Sequence, residues 1–143
     1  MILILKGKYN TSIMVLESIN LDGRLGPANE FLISQENDKA IKFLNNVLDD
    51  DPSMDNAWLL LGIAKRRIGE FIDAIECFKT VTELKSSIEE AWGLYTVTLL
   101  DIGNISAAEV TIEKACELNP TNEKLKFYKE NLIRIYKKFG PFF

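Results

Sequence analysis

Histidine is absent from this chain of 143 residues, which removes the commonest general base and the commonest neutral metal ligand. Cysteine occurs twice, at Cys77 and Cys116. Two isolated thiols make neither a disulfide framework nor a four-ligand metal site, and in apolar-periodic segments they read as buried side chains. Positive charge is not in excess: 17 Lys and Arg stand against 21 Asp and Glu, a net charge of -4. No basic field therefore attracts nucleic acid or anionic lipid. Long apolar runs are missing near the start, where Met1 to Leu5 is cut by Lys6, Gly7 and Lys8. That run is too short for a signal-peptide core or a membrane span, and the expectation is a cytoplasmic protein.

Catalytic signatures are missing as well. There is no Gly-rich phosphate loop, nucleophile elbow or metalloprotease helix. Serines such as Ser34, Ser87 and Ser106 have no imidazole to activate them, and no particular lysine is bracketed for a lysine-based hydrolase. Asp49, Asp50 and Asp51 lack the alternating oxygen ligands and central Gly of a calcium loop and read as a solvated helix end. The expectation is a protein that is not an enzyme and carries no cofactor and no metal. With 47% hydrophobic and 27% charged residues, the composition is that of one soluble folded domain.

What the chain does have is a repeat. "AWLLLGIAKRRIGEFIDAI" (Ala57 to Ile75) is followed by "AWGLYTVTLLDIGNISAAEV" (Ala91 to Val110), with a spacing of 34 residues. Without a gap, Trp58 maps to Trp92, Leu61 to Tyr95, Gly69 to Gly103, Ala74 to Ala108, Phe78 to Ile112 and Val81 to Ala115. Such a recurrence means stacked supersecondary units, not one irregular core. Run backwards, the register places Ala40, Leu44, Val47 and Pro52 in a preceding unit; run forwards, it makes amphipathic Leu125 to Lys138 a terminal cap.

Each unit reads as two helices. Ser53 or Asp55 can cap the first, on which Trp58, Leu61 and Ile68 share a face until Gly69 permits the turn. Phe71 to Leu84 is its partner, with Ile72, Ile75, Phe78 and Val81 at helical spacing. Ser87 and Glu90 fit a capping box for the next unit, Pro120 stops that unit's second helix, and Thr121 or Asn122 opens the last one. Small Ala74 and Ala108 suit a close helix approach, and Trp58 and Trp92 fill the space between units.

These residues resemble the tetratricopeptide repeat. Trp58, Leu61, Gly62, Gly69, Ala74 and Phe78 carry its pattern over 55–88, with Val81 and Ser86 replacing the last Ala and Pro. Trp92, Gly103, Ala108, Ala115 and Pro120 carry it over 89–122, with Ile112 at the aromatic site and Thr96 where Gly62 stood. The resemblance implies an all-α, right-handed α-solenoid of antiparallel helix pairs with a capping helix over 123–139. A degenerate repeat is expected over 21–54, where Gln35 replaces the turn Gly, and a partial repeat over 1–20, where Tyr9 to Asn20 resembles a second helix. Ser12 to Ala40 is 28 residues, short of the 34 of the period. With apolar Met1 to Leu5 at the edge, residues 1–143 are expected to be one helical-repeat domain cut from a longer array.

The resemblance also implies a protein-interaction scaffold that binds a peptide or amphipathic helix of a partner protein in a concave groove lined by first helices. By position that groove presents Leu59, Leu60, Ile63 and Arg66, then Leu94, Val97 and Asp101, then Phe127 and Tyr128. The same residues, read alternatively, pack against neighbouring helices or against the tail Gly140 to Phe143. Some members of the family bind acidic chaperone C-termini through Lys and Asn side chains. Here those positions fall on Leu25, Asn29, Leu60, Glu90 and Leu94, or one unit later on Leu59, Ile63, Leu94, Lys124 and Tyr128. A glutamate where a cation should meet a carboxylate argues against that ligand. Lys65, Arg66 and Arg67, beside Glu70, form a basic cluster that reads either as an anion site or as a solvated helix end suited to the helix dipole. The alternative function is a self-associating array, a homodimer docked through Met1 to Leu5 or Pro141 to Phe143, or the regulatory arm of a larger protein.

Overall fold

A computed structural model describes residues 23–142. The expected partial repeat over 1–20, with its Met1 to Leu5 edge, lies outside the described residues, as do the first two residues of the 21–54 unit. A short 3-10 turn, Gly23–Leu25, leads into α1 Gly26–Ile33, α2 Asn37–Asp50, α3 Asp55–Arg67, α4 Phe71–Leu84, α5 Glu89–Asp101, α6 Ile105–Leu118 and α7 Glu123–Phe139. Among the described residues there is no strand. The described residues form an all-helical α-solenoid, in which each helix packs on the next in sequence while α1 also meets α3 and α5 meets α7.

The period is written in the backbone. α2, α4 and α6 have 14 residues each, α3 and α5 have 13 each, and equivalent helices start 34 residues apart. The turns between paired helices are superimposable in their bonding. Glu36, Glu70 and Asn104 each donate a main-chain N–H to the carbonyl five residues back, on Phe31, Lys65 and Leu99, at 2.8, 2.9 and 2.9 Å. This closure requires a left-handed residue one position earlier. Gly69 and Gly103 supply it at φ 83° and 78°, and Gln35 adopts it at φ 61° although it carries a side chain.

Burial follows the small residues of the period. Ala40, Ala74, Ala108 and Ala115 are fully buried, which allows the paired helices their close approach. One apolar cluster holds Leu32, Leu44, Leu60, Phe78 and Val81, and the next holds Leu100, Ile112, Leu125 and Leu132; Tyr95 packs against both and makes the core continuous. Trp58 and Trp92 do more than fill space. Their indole N–H groups donate to the carbonyls of Pro52 and Ser86, both at 2.8 Å, so each Trp staples its helix to the loop that enters it.

Helix entries differ from expectation. The residues that cap α3 and α5 are Met54 and Ile88, without a side-chain capping bond, in place of Ser53 and of the Ser87/Glu90 box, while Asp55 Oδ1 accepts the N–H of Asn56 at 2.6 Å. Ser53 instead donates to Asp51 Oδ1 at 2.6 Å, while Met54 and Ile88 pack into the core. Burying an apolar side chain at the entry fixes the chain direction there, and polar capping geometry gives way to it. Asn122 does open α7, accepting from Leu125 N at 3.0 Å. Ile68 and Ile72 turn outward at 40% and 64% exposure: Ile68 has left the helix as its C-terminal cap, and Ile72 lies on the outer side of α4. Of the thiols, Cys77 is buried and Cys116 only partly so; desolvation pushes Cys77 up to about 12, which keeps it protonated at neutral pH.

Candidate functional site

The first helices α3, α5 and α7 carry every position expected to line the groove, and the structure buries most of them. Leu59, Leu60 and Ile63 of α3 and Leu94 of α5 lie in the first apolar cluster, each at most 2% exposed. Val97 of α5 and Tyr128 of α7 lie in the second. Phe127 stands out at 40% exposure, with its ring edge-on to Tyr128 at a centroid distance of 6.3 Å. Tyr128 reaches this place because Gly93 has no side chain: a Cβ there would sit 2.8 Å from the Tyr128 ring.

Arg66 and Asp101, each expected separately in the lining, are brought together. Arg66 Nη2 donates to Asp101 Oδ2 at 2.7 Å and its Nε to the same oxygen at 3.1 Å. The pair is nearly dry, with side chains 10% and 0% exposed, and it ties α3 to α5 across the repeat boundary. The other carboxylate oxygen, Oδ1, accepts the main-chain N–H of Phe142 at 2.8 Å. Phe142 is 8% exposed and belongs to the same apolar cluster as Val97 and Tyr128. For this stretch the alternative reading, packing against the tail, describes what the structure contains. Sequence reasoning missed the pairing. Its signal was one unpaired-looking acid and one base on otherwise apolar inner faces.

The basic cluster is internally matched. Lys65 Nζ lies 2.8 Å from Glu70 Oε2 and 3.8 Å from Asp73. That hydrogen bond with Glu70 raises the Lys65 amine and lowers the Glu70 carboxyl. Arg66 holds Asp101, and Arg67 donates to the Leu32 carbonyl and to Asn37 Oδ1, reaching back to the preceding unit. Each of the three cations meets acceptors within the chain, so the cluster clasps neighbouring elements, and the anion-site reading has no support. The positions of the chaperone clamp are no more favourable: Leu25, Leu60 and Leu94 are buried, and Lys124 faces Glu89 at 3.6 Å. Among the described residues no helix is long and apolar enough to cross a membrane.

The same geometry is found in known proteins. The tetratricopeptide repeat model matches residues 55–88 and 89–122, the units whose helices recur in register. In fold the chain is similar to the solved "First TPR of Spaghetti (RPAP3) bound to HSP90 peptide SRMEEVD", with a TM-score of 0.65 and 17% identity over 89% of this chain and 94% of that one. No curated protein matches the chain in sequence. Stacked helix pairs with that repeat define a helical-repeat protein, and residues 55–122 carry two tetratricopeptide repeats.

Proposed function

We propose that this protein is a non-catalytic, cytoplasmic interaction scaffold that binds a peptide or helix of a partner protein on the face formed by α3, α5 and α7. The observation that carries the reading is the stacking of two family-matched repeats, since stacked helix pairs present their first helices as one continuous concave surface. The solved neighbour, bound to a peptide of HSP90, supports a peptide as the class of ligand. On this chain the face combines the Arg66–Asp101 pair, the exposed Phe127 and, beneath them, Leu59, Leu60, Ile63, Leu94, Val97 and Tyr128 as its apolar wall. We read residues 21–54 as a degenerate repeat on the strength of the left-handed Gln35 and the in-register α2, and 123–139 as the cap.

Partner capture by the purified chain tests the proposal, with cross-linked peptides identified by mass spectrometry. Cross-links should fall on α3, α5 and α7, and Phe127→Glu should abolish them while leaving helicity intact. Cross-links confined to the α4 and α6 side would overturn the reading. Leu59→Glu and Leu94→Glu are unsuitable probes, because each would bury a carboxylate in the core.

A further inference from the structure

At the C-terminal end of α7 the chain turns back on itself. Gly140, at φ 82°, leaves the helix with its N–H still on the Tyr136 carbonyl at 2.7 Å. Pro141 stays exposed, and Phe142 is then buried with its main-chain N–H on Asp101 Oδ1. An extended segment is therefore seated on α5 by one aromatic side chain and one main-chain donor. These are the two handles by which a groove holds a peptide: an apolar anchor and a backbone hydrogen bond. The donor meets a carboxylate whose other oxygen is held rigidly by Arg66, so the acceptor is pre-aimed. A hydrogen bond to a charged acceptor in a dry site is among the stronger ones.

Resting on the scaffold reading above, we propose that Asp101, Arg66 and the apolar cluster that takes up Phe142 form a socket for an extended Pro-aromatic segment, and that the chain's own Gly140–Phe142 fills it in cis. A partner segment of that chemistry competes with the tail. Because a tethered occupant holds the site at high effective concentration, it weakens an external ligand by the fraction of time the socket is filled. Binding is then governed by release of the tail and not by the external segment alone.

The experiment is a titration of the 143-residue chain with the blocked peptide Gly-Pro-Phe, followed by NMR. Phe142→Ala opens the socket without touching Asp101 or Arg66, and it should bind the peptide at least about tenfold more tightly than the unsubstituted chain. The shifts should centre on α5. A peptide N-methylated at Phe lacks the donor and should lose about tenfold on the same variant, a change made on the ligand that cannot disturb the fold. Equal binding by both proteins, or by both peptides, would overturn the socket. Sedimentation separates cis from trans occupancy: a monomeric unsubstituted chain supports the proposal, and a dimer that Phe142→Ala dissociates would overturn its cis form. The titration requires no natural partner, so its failure removes the socket and leaves the scaffold reading to the cross-linking test.

Discussion

Repeats 55–88 and 89–122 share a backbone and solve the same packing problem with different side chains. In the first, Gly62 faces Phe78, and a Cβ at Gly62 would lie 2.5 Å from the Phe78 ring. In the second, the equivalent positions hold Thr96 and Ile112, both buried, with the Thr96 hydroxyl donating to the Trp92 carbonyl at 2.9 Å. A large residue opposite none at all has become two of middling size. Each substitution looks like a departure from the repeat pattern when read singly; together they conserve volume, which is what a close-packed interior requires. The repeats diverge further at their last inward position. Arg67 in the first reaches back to the Leu32 carbonyl, whereas Asp101 in the second receives Arg66 from one side and the Phe142 N–H from the other. Equivalent positions thus do unlike work according to what lies beyond them in the stack.

The severest break in that comparison should come from Asp101→Ala. It leaves the nearly buried Arg66 without its acid and should cost about 3 kcal/mol, measured by chemical denaturation. Arg67→Ala at the equivalent position removes the charge itself and leaves only a neutral carbonyl and amide without their donor, so it should cost clearly less. Next in size, Gly62→Thr should overpack the first repeat by about 2 kcal/mol, with most of the loss recovered when Phe78→Ile is added. A double variant no better than the single would show that the pairing of sizes between the two repeats is coincidental.

Smaller effects belong to the helix entries. Asn104 caps α6 by accepting from Ala107 N at 3.1 Å, while its counterpart Glu70 makes no capping bond and serves Lys65. Asn104→Ala should lower stability by about 1 kcal/mol, whereas Glu70→Ala should leave the melting temperature nearly unchanged. Smallest of all, and opposite in sign, Gln35→Gly should stabilise the preceding unit by roughly 0.5 kcal/mol, because the left-handed turn then carries no side-chain penalty. A loss of stability there would mean that the Gln35 side chain itself contributes to the turn.

The turn glycines, the buried alanines and the second helices were legible in the sequence, because each is a local requirement that recurs in every unit. Gln35 was legible as an irregularity, and the structure shows it meeting the same backbone demand as Gly69. The cap of α7 at Asn122 was legible, but those of α3 and α5 were not. Ser53 and Ser87 have the right chemistry one residue too early, and the choice of Met54 and Ile88 depends on core space that a linear pattern does not display. The positions expected to line a groove do lie on α3, α5 and α7, but Leu59, Ile63 and Leu94 are buried, because packing covers them in a way that a linear pattern does not display.

From the sequence by itself come the 34-residue period, the helix pairs and the stacked architecture, since a hydrophobic pattern repeated without gaps admits one local solution used again and again. The meeting of Arg66, Asp101 and Phe142 was decided only in three dimensions. Residues 35 and 41 positions apart are brought together by the rotation between neighbouring units and by the path of the tail after Gly140, and neither is encoded in any single repeat.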